Sequence, residues 1–311
     1  MRVLFMGTPD FAAVCLERLL KEPDLQLTVV TQPDKPQGRH MTLTPSAVKK
    51  AALDGGLPLY QPERLKDGAF EETLRKIDPE VILVVAYGKL LPEYILKYPP
   101  LGCINLHGSL LPAFRGAAPM QRMIMEGVKD YGVTTMYMEK GLDTGPMLEK
   151  WSTPLRDEDN FETVHDTLAR EGAELLLSTL RKAQAGALHP QKQDDSKATY
   201  ASKIEKSDCL LDFGESARQV HNRIRGLSPV PLSYTVLKGR TLKILSSRIE
   251  EERGRQGLPG QVLSFDSEGI LIACGEGSVR ILCLRPEGKS TMSAFDFCKG
   301  RGVAKGDILG K

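Results

Sequence analysis

Paired cysteines are missing from this chain. Its six cysteines, Cys15, Cys103, Cys209, Cys274, Cys283 and Cys298, are scattered without a CxxC spacing, which removes the usual zinc-ligand pattern. Most sit in apolar runs where a thiol acts as a small hydrophobe, and a reducing cytoplasm fits them best. No apolar run approaches the length of a membrane span. The amino terminus opens directly into a strand, with no signal peptide ahead of it, so a cytoplasmic protein is expected. The first turn, Gly7-Thr8-Pro9-Asp10, carries one glycine where a dinucleotide fingerprint needs three, which argues against a nicotinamide cofactor, and no Walker-type loop appears. Net charge is scarce too, at +2. Its placement is uneven: from Tyr200 onward 18 Lys and Arg face 13 Asp and Glu, against 24 and 27 before it. A basic carboxyl-terminal third on a slightly acidic body points toward a polyanionic partner.

What is present is enough chain for two domains, at 311 residues. Val3–Met6 reads as a buried strand, Asp10 opens a helix through Phe11, Val14, Cys15 and Leu19, and Leu25–Thr31 is the next strand. Further strands are expected at Leu57–Tyr60 and at Val81–Ala86, the latter a continuous apolar run suited to a strand covered on both faces. This alternation predicts a parallel sheet with helices on its faces, and a site beyond the carboxyl ends of the strands. After it come a helix at Met120–Glu126, strands at Tyr131–Met138 and Met147–Thr153, and an amphipathic helix over Phe161–Ala185. The polar stretch from Gly186 to Asp208 is the best boundary. Beyond it lies a helix at Glu215–Arg225, with Arg218, Arg223 and Arg225 available, and then several short strands with turns between them. That spacing suggests a small OB-like barrel.

The stretch Gly102–Pro119 holds the chemistry. Asn105 and His107 stand two apart, so a strand that reaches them projects both from one face at its carboxyl end. A second loop, from Glu139 to Pro146, can bring Asp143 to them. By default Asn, His and Gly at such a strand end are turn or structural residues. Together, however, an amide donor, an imidazole and a carboxylate suit transfer of a carbonyl-bearing group. Gln32–Pro45 is too long and too rich in Pro and Gly for a tight connection. It is either a mobile surface loop or a substrate-gripping insertion whose Lys35 and Arg39, with Lys49 and Lys50, meet phosphates.

Asn-Leu-His-Gly-Ser-Leu-Leu-Pro at 105–112, then Arg115-Gly116-Ala117-Ala118-Pro119 and Leu142-Asp143-Thr144-Gly145, resemble the signature of the folate-dependent formyltransferases. Pro33-Asp34-Lys35-Pro36-Gln37-Gly38-Arg39 resembles the insertion loop of those members that act on initiator methionyl-tRNA, where it enters the acceptor stem. His40-Met41-Thr42 stands where many members have a run of Lys, and Ser228-Pro229-Val230-Pro231 where many have Asn-Pro-Trp-Pro. Ala198–Ile204 resembles the family's linker, and Pro286–Ala294 its last barrel strand exit.

The resemblance implies an α/β fold: a Rossmann-like parallel-sheet formyltransferase domain over residues 1–188, a linker over 189–207 and an OB-like tRNA-binding barrel over 208–311. It implies formyl transfer from 10-formyltetrahydrofolate, a co-substrate, to the α-amine of methionine on initiator tRNA, without a metal. In that reading Asn105 and His107 stabilise the oxyanion, and Asp143 orients His107 or relays the amine's proton. Ser109, Leu110, Leu111 and Pro112 match the folate-contacting segment, the turn Tyr87–Pro92 corresponds to one that lines the pterin pocket, and Arg39 and Lys35 meet tRNA. A monomer is expected. The rivals are an amino-sugar nucleotide formyltransferase, a formyltetrahydrofolate hydrolase and an RNA-binding protein without chemistry.

Overall fold

A computed structural model describes residues 1–37, 41–300 and 302–310. In chain order its strands are β1 Arg2–Gly7, β2 Gln26–Val30, β3 Lys35–Gln37, β4 Thr42–Thr44, β5 Leu59–Tyr60, β6 Val81–Val85, β7 Cys103–His107, β8 Arg115–Gly116 and β9 Asp130–Tyr137. They continue with β10 Met147–Pro154, β11 Tyr200–Ala201, β12 Ser233–Leu237, β13 Arg240–Glu251, β14 Val262–Asp266, β15 Gly269–Ala273, β16 Ser278–Pro286 and β17 Met292–Ser293. The α-helices are α1 Asp10–Leu19, α2 Ala47–Asp54, α3 Glu71–Ile77, α4 Glu93–Leu96, α5 Pro119–Glu126, α6 Phe161–Gln184, α7 Ala217–Gly226 and α8 Ala294–Lys299.

The chain divides into two compact units. The first comprises Met1–Gly116, Gly132–Thr153 and His165–Tyr200. Its seven-stranded sheet runs in the order β10-β9-β7-β6-β1-β2-β5. β1 and β6 lie at its centre, and the apolar run Val-Ile-Leu-Val-Val of β6 is buried at every position. Helices on both faces account for that unbroken hydrophobicity. The strands from β5 through β7 pair in parallel, as alternating strands and helices require. The expectation of a wholly parallel sheet needs correction, because β9 pairs with β7 antiparallel, placing Thr134 opposite His107 and Met136 opposite Asn105. An antiparallel strand added toward the edge of a parallel sheet is a common way to extend it. Strand β5 is shorter than the expected Leu57–Tyr60, and Pro58, which has no N–H to give, lies just outside it. β3 and β4 form a short antiparallel hairpin at the root of the long loop after β2.

The second unit comprises Ala117–Tyr131, Pro154–Val164 and Ala201–Lys311. Its sheet is antiparallel, ordered β12-β13-β16-β15-β14, with β17 added on β16. The long strand β13 changes register against β16 after Ile244, Ser246 and Ile249, and such irregularities increase local twist. β12 and β14 are not paired with each other among the described residues. Instead the carboxyl-terminal segment spans between them: Val262 N–H donates to Asp307 O, Leu309 N–H to Gly260 O, and Gly310 N–H to Val236 O. Val220 and Ile224 of α7 pack with Ile244, Ile272, Ile281 and Leu284 into this unit's core. A reciprocal pair of hydrogen bonds between Ser216 and Gln219 starts α7.

Candidate active site

The exit of β7 is where the expected residues meet. Asn105 and His107 lie two apart on a strand that is buried throughout, so both side chains leave the same face. Asn105 is 9% exposed; its side chain makes no hydrogen bond to the described residues, and its amide atoms are not among those sealed from solvent without a partner. His107 is held from one side: its Nε2 lies 2.9 Å from the carbonyl of Phe114. A carbonyl only accepts, so the proton on that side belongs to Nε2. Nδ1 then faces Asp143, 3.6 Å from its Oδ2. At that separation the two are not directly hydrogen-bonded, and they form an ion pair only when Nδ1 also carries a proton. The same Oδ2 accepts from the Gly116 N–H at 2.8 Å, which fixes the carboxylate.

Both partners of His107 come from backbone held out of its ordinary range. Phe114 has φ 59° and Asp143 has φ 54°, left-handed values that non-glycine residues adopt at a cost of about 1–2 kcal/mol. Asp143 stands between β9 and β10 in a loop closed by Tyr137 N–H donating to Pro146 O at 2.9 Å. Gly145 is required there, since a Cβ would come within 1.8 Å of the Tyr137 carbonyl oxygen.

Of the four residues expected to contact folate, Ser109 and Leu111 are buried and Leu110 and Pro112 half-buried. Ser109 Oγ donates to Ala113 O at 2.7 Å. Thr134, fully buried opposite His107, donates from Oγ1 to Ser109 O at 2.8 Å and accepts from Leu111 N–H at 3.1 Å. Thr134 was not singled out from the sequence, although two adjacent threonines inside an otherwise apolar strand are a readable signal. Lys150 Nζ donates to Leu111 O at 2.5 Å, and burial lowers its pKa.

At the exit of β6, Tyr87 is 1% exposed and its hydroxyl has no partner among the described residues. Burial pushes that hydroxyl up to about 12. The Tyr87 carbonyl accepts from Thr8 Oγ1 at 3.0 Å and from Gln32 Nε2 at 2.7 Å.

Arg39 lies outside the described residues. Lys35 has an exposed position, yet its Nζ donates to Gln32 Oε1 at 2.5 Å. Lys49 pairs with Asp34 at 2.7 Å, and Gln61 Nε2 donates to that same carboxylate at 2.9 Å. Lys49 is therefore tied into the root of the loop rather than left open to phosphate.

In the second unit the three arginines of α7, expected to be available, are all engaged: Arg225 in the interior, Arg223 half-buried and Arg218 in ion pairs at a part-exposed surface. Arg225 is 6% exposed and donates to Asn222 Oδ1 and to the carbonyls of Arg156 and Asp159. Arg218 pairs with Asp157 and Glu252, and Arg223 with Glu215. Arg280 is likewise enclosed by Glu250 and Asp266. Beside this group His221 is buried, with Nδ1 3.0 Å from Ser247 Oγ and Nε2 3.2 Å from Asp157 O. Burial lowers its pKa, with a smaller lowering from Arg225 and Arg218 and an opposing effect of Asp157.

Among the described residues no cluster of His, Cys, Asp and Glu could hold a metal ion, and no helix is long and apolar enough to cross a membrane. An amide committed to no other residue, an imidazole of fixed orientation and an anchored carboxylate form a site that can receive developing negative charge on oxygen and accept a proton.

The chain is similar to known proteins. A family model described as Formyl transferase matches residues 1–180, and one described as Formyl transferase, C-terminal domain matches residues 203–302. The chain is 44% identical over 308 residues to a methionyl-tRNA formyltransferase of Pelobacter propionicus, covering 99% of this chain and 96% of that protein. It is 46% identical over 310 residues to the protein of that name from Caldanaerobacter subterraneus subsp. tengcongensis, covering 99% and 100%. Among solved structures, an N-formyltransferase from Helicobacter canadensis in complex with folinic acid and dTDP-3-aminofucose shares the fold, with a TM-score of 0.67 at 18% identity over 90% of this chain and 98% of that one. HypX from Aquifex aeolicus in complex with tetrahydrofolic acid gives 0.64 at 18% identity, covering 94% of this chain and 46% of its own, so this chain spans about half of that protein.

Proposed function

The chain belongs to the formyl transferase family, and from that premise we propose that it moves the formyl group of 10-formyltetrahydrofolate to the α-amino group of methionine on initiator tRNA. The folate is a co-substrate that supplies the activated formyl carbon. The acceptor amine has a reference pKa of about 7.7–8.0, so much of it is neutral near physiological pH and needs little activation. The amine nitrogen forms the new C–N bond as the carbonyl electron pair moves to oxygen. That pair then returns, the bond to the folate nitrogen breaks, and the folate nitrogen leaves with a proton in place of the one the amine gives up.

The observation that carries this reading is the uncommitted amide of Asn105 on the same strand face as His107, with Asp143 3.6 Å from that imidazole. A donor held in place by the strand and committed to no other partner is free to stabilise an oxygen that acquires charge in front of it. Asn105 supplies that donor. With Nε2 donating to Phe114, His107 Nδ1 is an acceptor in the neutral ring and becomes a donor to the oxyanion, paired with Asp143, only when it too is protonated. Asp143 takes the amine's proton through water. The half-buried apolar surfaces of Leu110 and Pro112, on the segment Ser109–Pro112, suit the flat pterin and benzoyl portion of the donor. Arg39 and Lys35 on the long loop meet the acceptor stem of the tRNA. Residues 1–188 form the catalytic domain, 189–207 a linker and 208–311 an OB-like tRNA-binding domain, a reading supported by the tail that spans β12 and β14. The protein works as a cytoplasmic monomer.

The test offers the protein a donor labelled in its formyl carbon with three acceptors in parallel: charged initiator methionyl-tRNA, a dTDP-linked amino sugar, and water. Label is expected on the methionine. Label on the sugar alone would transfer the reading to the amino-sugar formyltransferases, for which likeness of fold is the only support. Release of formate alone would make the protein a hydrolase.

A further inference from the structure

We infer that the segment Gln193–Thr199 is a positioning brace for the reaction, in which Gln193 sets the Asp143 loop and Thr199 sets the carbonyl that holds His107. This rests on the roles proposed above for Asp143 and His107. Gln193 lies fifty positions beyond Asp143 in the chain and is 5% exposed. Its Nε2 donates to two carbonyls of the Asp143 loop, Asp143 O at 2.7 Å and Gly145 O at 2.8 Å. Its Oε1 accepts from Arg115 Nε at 3.1 Å and Nη2 at 2.8 Å. Carbonyls on one side and guanidinium donors on the other leave only one orientation of the amide that satisfies all four contacts. Arg115 is itself 2% exposed, and the carboxylate that pairs with it, Asp195, is mostly in solvent. Gln193 is thus the buried link between Arg115 and the loop.

Six residues further on, Thr199 grips the opposite wall. Its Oγ1 accepts from Phe114 N–H at 2.9 Å, and its carbonyl accepts from Arg115 N–H at 2.9 Å. Phe114 is an aromatic residue at positive φ, a conformation that needs outside support, and its carbonyl is the group that orients His107. One short stretch of chain therefore holds both strained residues, Phe114 and Asp143. The Gly116 N–H that anchors the Asp143 carboxylate belongs to the residue after Arg115 and is carried by the same contacts. Neither Gln193 nor Thr199 touches His107 or the Asp143 carboxylate, so each acts through another residue.

Four variants test this: Thr199→Val, which keeps the shape and removes the acceptor; Thr199→Ser, which restores it; Gln193→Glu, which keeps the acceptor toward Arg115 and removes the donor toward the loop; and Gln193→Ala. Each is assayed for formyl transfer to initiator methionyl-tRNA beside wild type, with circular dichroism to establish folding. Thr199→Val and Gln193→Glu are expected to lower kcat by about 10–100-fold, with KM for donor and tRNA within about threefold, as misplaced catalytic groups require. Thr199→Ser is expected to return to within about threefold of wild type. Folded Thr199→Val and Gln193→Glu with wild-type kcat would overturn the brace, and so would losses confined to KM or no rescue by serine. An inactive wild type would instead remove the proposed function and leave the brace without a reaction to serve. If Gln193→Ala unfolds, the Thr199 pair and Gln193→Glu still decide.

Discussion

His107 Nε2 donates to the carbonyl of Phe114 at 2.9 Å, and this contact determines which edge of the imidazole faces the site. With Nε2 committed to backbone, only Nδ1 remains to face Asp143. The orientation of the histidine is thereby set by a main-chain atom that a side-chain substitution at Phe114 leaves in place, provided the replacement tolerates a positive φ. Phe114→Asn, a residue that visits that region more readily, is expected to keep kcat within about fivefold, whereas Phe114→Val should lose at least tenfold because β-branching resists it. Steady-state formyl transfer by the two purified variants checks the contrast.

Gly145 gives a second prediction. A methyl group there would meet the Tyr137 carbonyl oxygen at 1.8 Å, and backbone cannot swing aside as a flexible side chain can. Gly145→Ala should move the Asp143 loop, lowering kcat by about 100-fold and destabilising the fold by about 1–3 kcal/mol. Thermal unfolding and single-turnover transfer on the same preparation separate the two effects.

His221 makes stability depend on pH. Its folded pKa is lowered, chiefly by burial, so near neutrality the folded protein holds it uncharged between Ser247 and the Asp157 carbonyl. As pH falls below the unfolded value of 6.5, the unfolded chain binds a proton that the folded state resists. The stability is therefore present above that value and is lost as pH falls toward the folded pKa, with a slope of up to about 1.4 kcal/mol per pH unit from this group. Urea midpoints from pH 8 to pH 5 should fall less steeply in His221→Gln than in wild type, and equal slopes would remove His221 as the cause.

The cysteines predict an inert interior. Burial pushes the thiols of Cys15, Cys103 and Cys274 up to about 12, against a usual value of 9.0. Since thiolate is the reactive form, iodoacetamide at pH 8 should leave these three unmodified in the folded protein and alkylate all six cysteines in urea. Peptide mass spectrometry reads the difference directly.

Much of the first unit was legible because its signals are local. The apolar run of β6, the glycine-bearing turn after β1 and the two-residue spacing of Asn105 and His107 follow from strand periodicity, and each stands where that periodicity puts it. The antiparallel direction of β9 was not legible, because periodicity gives the face of a strand and not its direction. Gln193 escaped notice because its partners lie fifty and seventy-eight positions away, and nothing in Gln191-Lys192-Gln193 distinguishes the residue that turns inward. The arginines of α7 misled for the same reason. A helix face rich in Arg reads as available, until carbonyls from Arg156 and Asp159 enclose one of them.

The most direct test of the central claim is single-turnover formyl transfer to charged initiator tRNA by wild type, Asn105→Asp and Arg39→Ala. Asn105→Asp keeps the shape of the side chain and removes its donor. The account predicts a fall of about 10²–10³ in its chemical step, with tRNA affinity retained. Arg39→Ala should show the reverse, a weaker tRNA complex with a near-normal rate at saturation. An Asn105→Asp protein that transfers formyl at the wild-type rate would contradict the account, because no donor at that position could then be stabilising the oxyanion.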